Sequence, residues 1–341
     1  MNLQKAECIM EGTATVVKHT GSHYLLAQLP SWRLFPAVLR GKVRLGGSSA
    51  TNPVAVGDRV EFHADGDLLP DGSVPASETA PAAITRILPR RNYIIRKSVN
   101  LSRQAHIIAA NVDHAFIVVT LAFPEVKLPF IDRLLVTCEV YGVKPVIVLN
   151  KIDIVDEFRD DFAPALENFH RIYEGAGYSI LEVSAKTGRG VDELRRLCLE
   201  KSEDGAPGIS LFSGVSGVGK SSLIKAMDPS LNPKTGLISE AHLQGRHTTT
   251  FYEMYQLCGG KGCIIDTPGI RGFGLVDLEP EEISLYFPEM LKAASGCRFT
   301  PCTHTHEPGC AVKFAVDEGT ISRERYASYL GMLEEYTKYR K

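Results

Sequence analysis

The sequence predicts a chain in three parts: a small β-barrel, a doubly wound α/β domain, and a small helical domain around a Cys/His cluster. Three observations carry this. Short segments rich in Val, Leu and Tyr, separated by turn formers, run from Gly12 to about Pro89. From Asp113 apolar strand-like runs alternate with segments long enough for crossover helices, and past about Pro280 the pattern turns helical with cysteines in its middle. The parts are placed at residues 1–90, 91–280 and 281–341.

The barrel strands are expected in TATVVKH, SHYLLAQL, PAVLRGKVRL, DRVEFHA and AAITRIL, whose even spacing suits a closed all-β architecture. Residues 64–83, rich in Pro, Gly, Ala and Asp, read as a long mobile loop inserted in the barrel without a structural role. In the second part HAFIVVTLA, KPVIVLNK, SILEVSA, GISLFSG and GCIIDTPG read as buried parallel strands, and FYEMYQL joins KGCIID as an antiparallel hairpin.

With 44% hydrophobic residues and no apolar run near the ~20 residues of a membrane span, a soluble intracellular protein is expected, with no membrane partner. The formal charge of −2 hides an asymmetry, since residues 1–112 hold 13 Lys/Arg against 8 Asp/Glu. Two stretches there, 12–57 and 79–112, contain no acidic residue, a composition suited to nucleic-acid phosphates or to solvated loops. Of eight cysteines, five are scattered (Cys8, Cys138, Cys198, Cys258, Cys263) and three cluster late, a pattern that points to metal rather than disulfides.

The segment Gly214, Val215, Ser216, Gly217, Val218, Gly219, Lys220, Ser221 fits G-x-x-x-x-G-K-[ST] between a strand-like and a helix-like segment. There the glycines let backbone N–H groups converge on phosphate, Lys220 neutralises the β/γ oxygens and Ser221 ligates Mg²⁺. Asp266-Thr-Pro-Gly269 ends a later strand, with Asp266 placed for Mg²⁺ through water and Gly269 for the γ-phosphate. In Gly245-Arg-His-Thr-Thr-Thr250, either Thr249 or Thr250 supplies the hydroxyl for Mg²⁺.

Asn150-Lys151-Ile152-Asp153 closes the strand PVIVL, and Asp153 can accept hydrogen bonds from N1–H and the exocyclic amine of guanine, a donor pair adenine lacks. Ser184-Ala185-Lys186 completes the base pocket with a backbone N–H for the guanine oxygen. Base motifs therefore precede phosphate motifs, a rotated order that a circular permutation of the sheet tolerates. Ile270 follows Gly269 where many GTPases carry a glutamine that orients water, and His247 is the nearest substitute.

Cys297-x₄-Cys302-x-His304-x₅-Cys310 supplies three thiols and an imidazole suited to one closed, structural, tetrahedral Zn²⁺, with His306 the competing ligand.

With this motif order, GVSGVGKSS, GRHTTT, DTPG before a hydrophobic residue, CRFTPCTHTHEPGC, IAANVDHAFIVV and VGDRVEF all present, the chain resembles the RsgA/YjeQ family of ribosome small-subunit-dependent GTPases over nearly its whole length. The resemblance implies an N-terminal OB-fold, a central circularly permuted P-loop GTPase α/β domain and a C-terminal helical zinc-binding domain. It implies a cytoplasmic factor in late maturation of the small ribosomal subunit, with that subunit and its rRNA and GTP/GDP as partners. Nucleotide contacts carry over to Asn150, Lys151, Asp153 and the segment from Gly214 to Ser222, zinc to Cys297, Cys302, His304 and Cys310, and catalysis to His247. The insertion at 64–83 departs from the family pattern. A monomer is expected, since no long apolar heptad pattern occurs. Two other classes compete: a nucleotide-dependent switch for a protein partner, and an RNA-binding scaffold in which nucleotide only stabilises the fold.

Overall fold

A computed structural model describes residues 9–40, 53–97, 105–231, 252–266 and 278–339. The chain divides into two compact units, each assembled from three separate segments: residues 1–113, 196–211 and 231–268 in the first, and 114–195, 212–230 and 269–341 in the second.

The first unit contains the barrel. Strands β1 (Ile9–Thr20), β2 (His23–Gln28), β3 (Arg33–Leu39), β4 (Arg59–Asp65) and β5 (Ala82–Ile87) pair in the order β1-β2-β3-β5-β4, and β1 also pairs with β4, closing the barrel. Five strands in a closed barrel are the OB-type arrangement expected. Alternation places Val16, Leu26, Phe35, Val60, Phe62 and Ile84 inside, with the rings of Phe35 and Phe62 4.7 Å apart. The 64–83 insertion departs from its expected role as a loop without structural function. Val74 is buried in this core, Ala76 packs against it, and Arg33 donates to the Gly72 carbonyl at 2.5 Å. One Val among Pro, Gly and Ala is too little pattern to signal burial.

A second feature escaped the sequence reading: β6 (Tyr93–Lys97) and β7 (Ala105–Ala110) form an antiparallel hairpin beyond the barrel. It docks where Gly57 takes φ +91°. A Cβ at that residue would lie 2.1 Å from the Ala110 carbonyl oxygen, so the close approach requires glycine. The hairpin of β12 (Glu253–Leu257) and β13 (Gly262–Asp266) has the expected antiparallel pairing, and Glu253 meets Lys18 of β1.

Some basic residues of the acid-free stretches are committed within the fold and others are exposed. Arg90 donates to both oxygens of the fully buried Asp58 and to the Pro53 carbonyl, and Arg91 bonds Asp113 and the Asn111 carbonyl. These two are structural. Arg33 and Arg40 are exposed; Lys42 and Arg44 lie outside the described residues, as does the Arg96 side chain.

In the second unit β8 (His114–Val119), β9 (Lys144–Leu149) and β10 (Ile180–Glu182) are parallel, ordered β10-β9-β8. All six residues of β8 are buried, as a strand covered on both faces must be. Helices α1 (Leu128–Val140), α2 (Ile152–Glu157) and α3 (Arg159–Gly175) connect these strands. β11 (Gly208–Ser213) ends where the phosphate motif begins, and α5 (Lys220–Met227) follows, after α4 (Val191–Cys198).

The C-terminal residues form a 3₁₀ helix (Pro280–Tyr286), α6 (Pro288–Ala294), α7 (Ala311–Asp317) and α8 (Arg323–Tyr339). Their core of Ile283, Phe287, Met290, Val312, Tyr329 and Met332 includes Val136 of α1. Arg325 fastens this packing. Fully buried, it bonds Asp132 of α1 at 2.8 Å, grips both oxygens of Glu289 at 2.8 and 3.0 Å, and lies 4.6 Å from the Phe287 ring centre. Burial alone would favour a neutral guanidine, but the two carboxylates outweigh it and raise its pKa above the ordinary value.

Candidate nucleotide site and metal cluster

The base motif begins where β9 ends. Asn150 continues the strand through its N–H to the Val119 carbonyl, Lys151 turns the chain at φ +64°, and α2 starts at the buried Ile152. Asp153 therefore sits in the first turn of a helix, where partial positive charge favours a carboxylate. Ser184 donates its hydroxyl to Asp153 Oδ1 at 2.6 Å and accepts from the Thr187 N–H at 3.1 Å. Lys186, largely exposed, holds its ammonium 3.8 Å from Asp153 Oδ2. The carboxylate is thus oriented by the Ser184–Lys186 motif that the sequence paired with it.

Asn150 is 2% exposed and joins three motifs. Its Nδ2 donates to the Val218 carbonyl of the phosphate loop at 2.7 Å, and its Oδ1 accepts from the Ala185 N–H at 3.3 Å. A Cβ at Gly219, whose φ is +96°, would lie 2.3 Å from that Nδ2, so the glycine is required by Asn150 as much as by a phosphate. This bridging role is invisible in the motif, because it depends on a contact across 68 residues of sequence.

The phosphate loop leaves β11 through Gly214, at φ +153°, where a Cβ would fall 2.3 Å from the Val118 carbonyl oxygen. Val218 is buried and anchors the loop, while Ser216 and Gly217 are exposed at its crest. Lys220 opens α5 and donates to the carbonyls of Gly214 and Val215 at 2.8 and 3.0 Å, holding its ammonium across the loop. Ser221 is half-buried and Ser222 exposed in the same first turn. Strand, glycine loop and helix N-terminus form an anion-binding arrangement. Asp266 is the last residue of β13, with its side chain outside the described residues. His247, Thr249, Thr250 and Gly269 also lie outside the described residues.

The side-chain ligand atoms of Cys297, Cys302, His304 and Cys310 all lie within 4.8 Å of one another, forming the one such cluster among the described residues. His304 Nδ1 is 3.6 Å from Cys297 Sγ and 3.3 Å from Cys310 Sγ, and the two sulfurs are 4.0 Å apart. A tetrahedron with ordinary zinc bond lengths has edges of about 3.8 Å between sulfurs and about 3.6 Å between sulfur and nitrogen. The donor set therefore fits one small tetrahedral cation. Burial lowers the His304 pKa against the pull of Glu307, the direction that favours the neutral imidazole a metal binds. His306 is exposed, with its Nδ1 2.9 Å from the Thr305 hydroxyl.

The loop carrying these four residues is held by groups the sequence did not single out. Tyr326 donates to the His304 carbonyl at 2.6 Å and Tyr329 to the Thr303 carbonyl at 2.5 Å. Glu307 accepts from the Thr303 hydroxyl and from the N–H groups of Thr303 and Thr305. Burial opposes its ionisation, but these bonds prevail and hold its pKa at about 2.

A family model described as RsgA GTPase matches residues 87–276, more than half of the chain and the whole run of nucleotide motifs. The chain belongs to the RsgA GTPase family. As a member it is a GTP hydrolase. Relatives extend the match to nearly the full length. The small ribosomal subunit biogenesis GTPase RsgA of Flavobacterium psychrophilum is 46% identical over 322 residues, covering 94% of this chain and 92% of that protein. The Bacteroides fragilis protein of the same name is 46% identical over 327 residues, with 95% and 98% covered. Among solved structures, YjeQ from Thermotoga maritima superposes with a TM-score of 0.72 at 33% identity, covering 96% of this chain and 99% of that one. YloQ, a circularly permuted GTPase, shares the fold at 24% identity with a TM-score of 0.68 over 100% and 99%. The rotated motif order is thus the RsgA family's arrangement.

Proposed function

We propose that this GTPase binds the small ribosomal subunit and acts in its late maturation in the cytoplasm, with hydrolysis stimulated by the subunit. The observation carrying this reading is the near-full-length similarity, at 46% identity, to proteins named for small ribosomal subunit biogenesis. The assignment of parts follows it: residues 1–90 an RNA-binding barrel, 91–280 the permuted GTPase domain and 281–341 the zinc domain. Asn150, Lys151, Asp153 and Ser184 to Lys186 take guanine. Gly214 to Ser222 take the phosphates, with Mg²⁺ on Ser221 and a switch threonine. His247 orients the attacking water, and one Zn²⁺ on Cys297, Cys302, His304 and Cys310 holds the C-terminal loop as a structural ion. The protein acts as a monomer.

The barrel's excess of basic residues supports contact with rRNA phosphates. Arg33 and Arg40 are the exposed candidates, whereas removing Arg90 would leave buried Asp58 unpaired and report on folding instead.

The test is steady-state GTP hydrolysis with purified small subunits, large subunits or neither, alongside His247→Ala. Stimulation by small subunits alone is expected. Its loss in His247→Ala, with GTP affinity unchanged, assigns the histidine to the chemical step. Equal rates in all three conditions would overturn the ribosomal reading and favour the switch or scaffold.

Guanine selection by Asp153 has its own test. Asp153→Asn replaces one acceptor with an amide donor facing a guanine donor, so GTP binding is expected to weaken about 10- to 100-fold, or about 1.5–3 kcal/mol. Calorimetric titration with GDP measures it; affinity within twofold of the parent would remove Asp153 from base recognition.

A further inference from the structure

We infer that Phe123, in the loop between β8 and α1, is a nucleotide-contacting residue whose ring packs on the ribose and base of the bound guanine nucleotide. The inference rests on the guanine-binding reading above and adds a contact that none of the sequence motifs supplies.

The loop runs Thr120-Leu-Ala-Phe-Pro-Glu-Val126. The Thr120 hydroxyl donates to the Pro124 carbonyl at 2.5 Å, and the Val126 N–H donates to the Thr120 carbonyl at 3.2 Å, which ties the two ends together. On one flank it meets the base motif: the Lys151 ammonium donates to the Phe123 carbonyl. On the other it meets the phosphate loop, where Pro124 Cδ stands 3.5 Å from the position a Cβ on Gly217 would take. In a nucleoside diphosphate, the ribose and α-phosphate lie between the base and the β-phosphate. A loop bracketed by the base motif and the phosphate loop therefore runs along that middle stretch of the ligand.

Phe123 adopts φ +49°, a backbone region that bulky side chains rarely occupy and that surrounding contacts must enforce. The bond from Lys151 and the tie across the loop supply that enforcement. What they present is a phenyl ring on a residue 73% exposed, the most exposed large hydrophobic among the described residues. Held in a disfavoured conformation and contributing little to the core, the ring gains apolar contact only from something that arrives. An exposed aromatic ring on a residue whose backbone is bonded to the base motif suits the face of a nucleoside, which recognition sites commonly stack against aromatic rings.

The experiment measures GDP and GTP affinity by competition with fluorescently labelled GDP, together with KM and kcat, for the parent, Phe123→Ala and Phe123→Tyr. Phe123→Ala is expected to weaken both nucleotides about 5- to 30-fold and to raise KM, with kcat within about twofold of the parent. Phe123→Tyr keeps the ring and should bind like the parent, and the melting temperature without nucleotide should be unchanged in both variants. GDP affinity within twofold of the parent in Phe123→Ala overturns the inference. Retained affinity with lost stimulation by small subunits overturns it equally and assigns the ring to a macromolecular partner. Failure of the parent protein to prefer GDP and GTP over ADP and ATP would instead overturn the guanine-binding reading, and this is read on the unmutated chain.

Discussion

Lys220→Ala is expected to slow single-turnover GTP hydrolysis by about 10²- to 10³-fold, equivalent to about 3–4 kcal/mol of transition-state stabilisation. Lys220 opens α5, and its ammonium is held across the loop by the Gly214 and Val215 carbonyls. Those two acceptors leave a cation fixed beside the loop's N–H groups, so little reorganisation is needed when charge builds on the transferring phosphoryl group. Alanine removes this cation while Val218 and Asn150 continue to hold the loop. The effect should therefore appear in the chemical step and in triphosphate affinity, with the unfolding midpoint nearly unchanged. Rapid-quench measurement of phosphate release at saturating enzyme tests this. A rate within tenfold of the parent would mean that charge neutralisation rests elsewhere.

The same residues mark how far the sequence could be read. Asn150 to Asp153, Ser184 to Lys186 and Gly214 to Ser221 were legible because each motif is short and lies at a strand end, where β9, β10 and β11 are signalled by their own apolar runs. The barrel strands were legible through alternation, and the β12–β13 hairpin through its glycine turn. Long-range pairing was not. Nothing near Asn150 announces that it bonds Val218, or near Arg325 that it bonds Asp132 across 193 residues of sequence. Arg90 lies in an acid-free stretch whose composition suits nucleic-acid phosphates, yet it neutralises buried Asp58. Burial of charge is decided by tertiary packing, which local composition does not encode. The β6–β7 hairpin escaped because its two apolar runs lie in a stretch notable chiefly for its lack of acidic residues.

Removing the metal from the cysteine cluster should have the largest effect on folding. Structural zinc sites contribute up to about 10–16 kcal/mol in isolated small domains. Here that figure is an upper bound, since Ile283, Phe287, Met290 and Tyr329 pack with Val136 in an apolar core that Cys310 joins and that does not consist of the cluster alone. The segment expected to depend most on the ion is residues 297–310, which contains no α-helix or strand and carries all four side chains of the cluster. Glu307, Tyr326 and Tyr329 brace its backbone, but without a cation three thiols and an imidazole are left crowded together. Chelation, or Cys310→Ser, is expected to release about one metal ion per chain and to expose this segment and α7 to proteolysis. GDP affinity should change less than about tenfold, because the base and phosphate motifs lie on other elements. Thiolate ligands compete with protons for the ion, so chelation should become easier as pH falls. Metal analysis of the purified protein, paired with limited proteolysis, provides the measurement. A metal-free protein with an equally protected C-terminal segment would show that hydrogen bonds and apolar packing alone suffice to hold the loop.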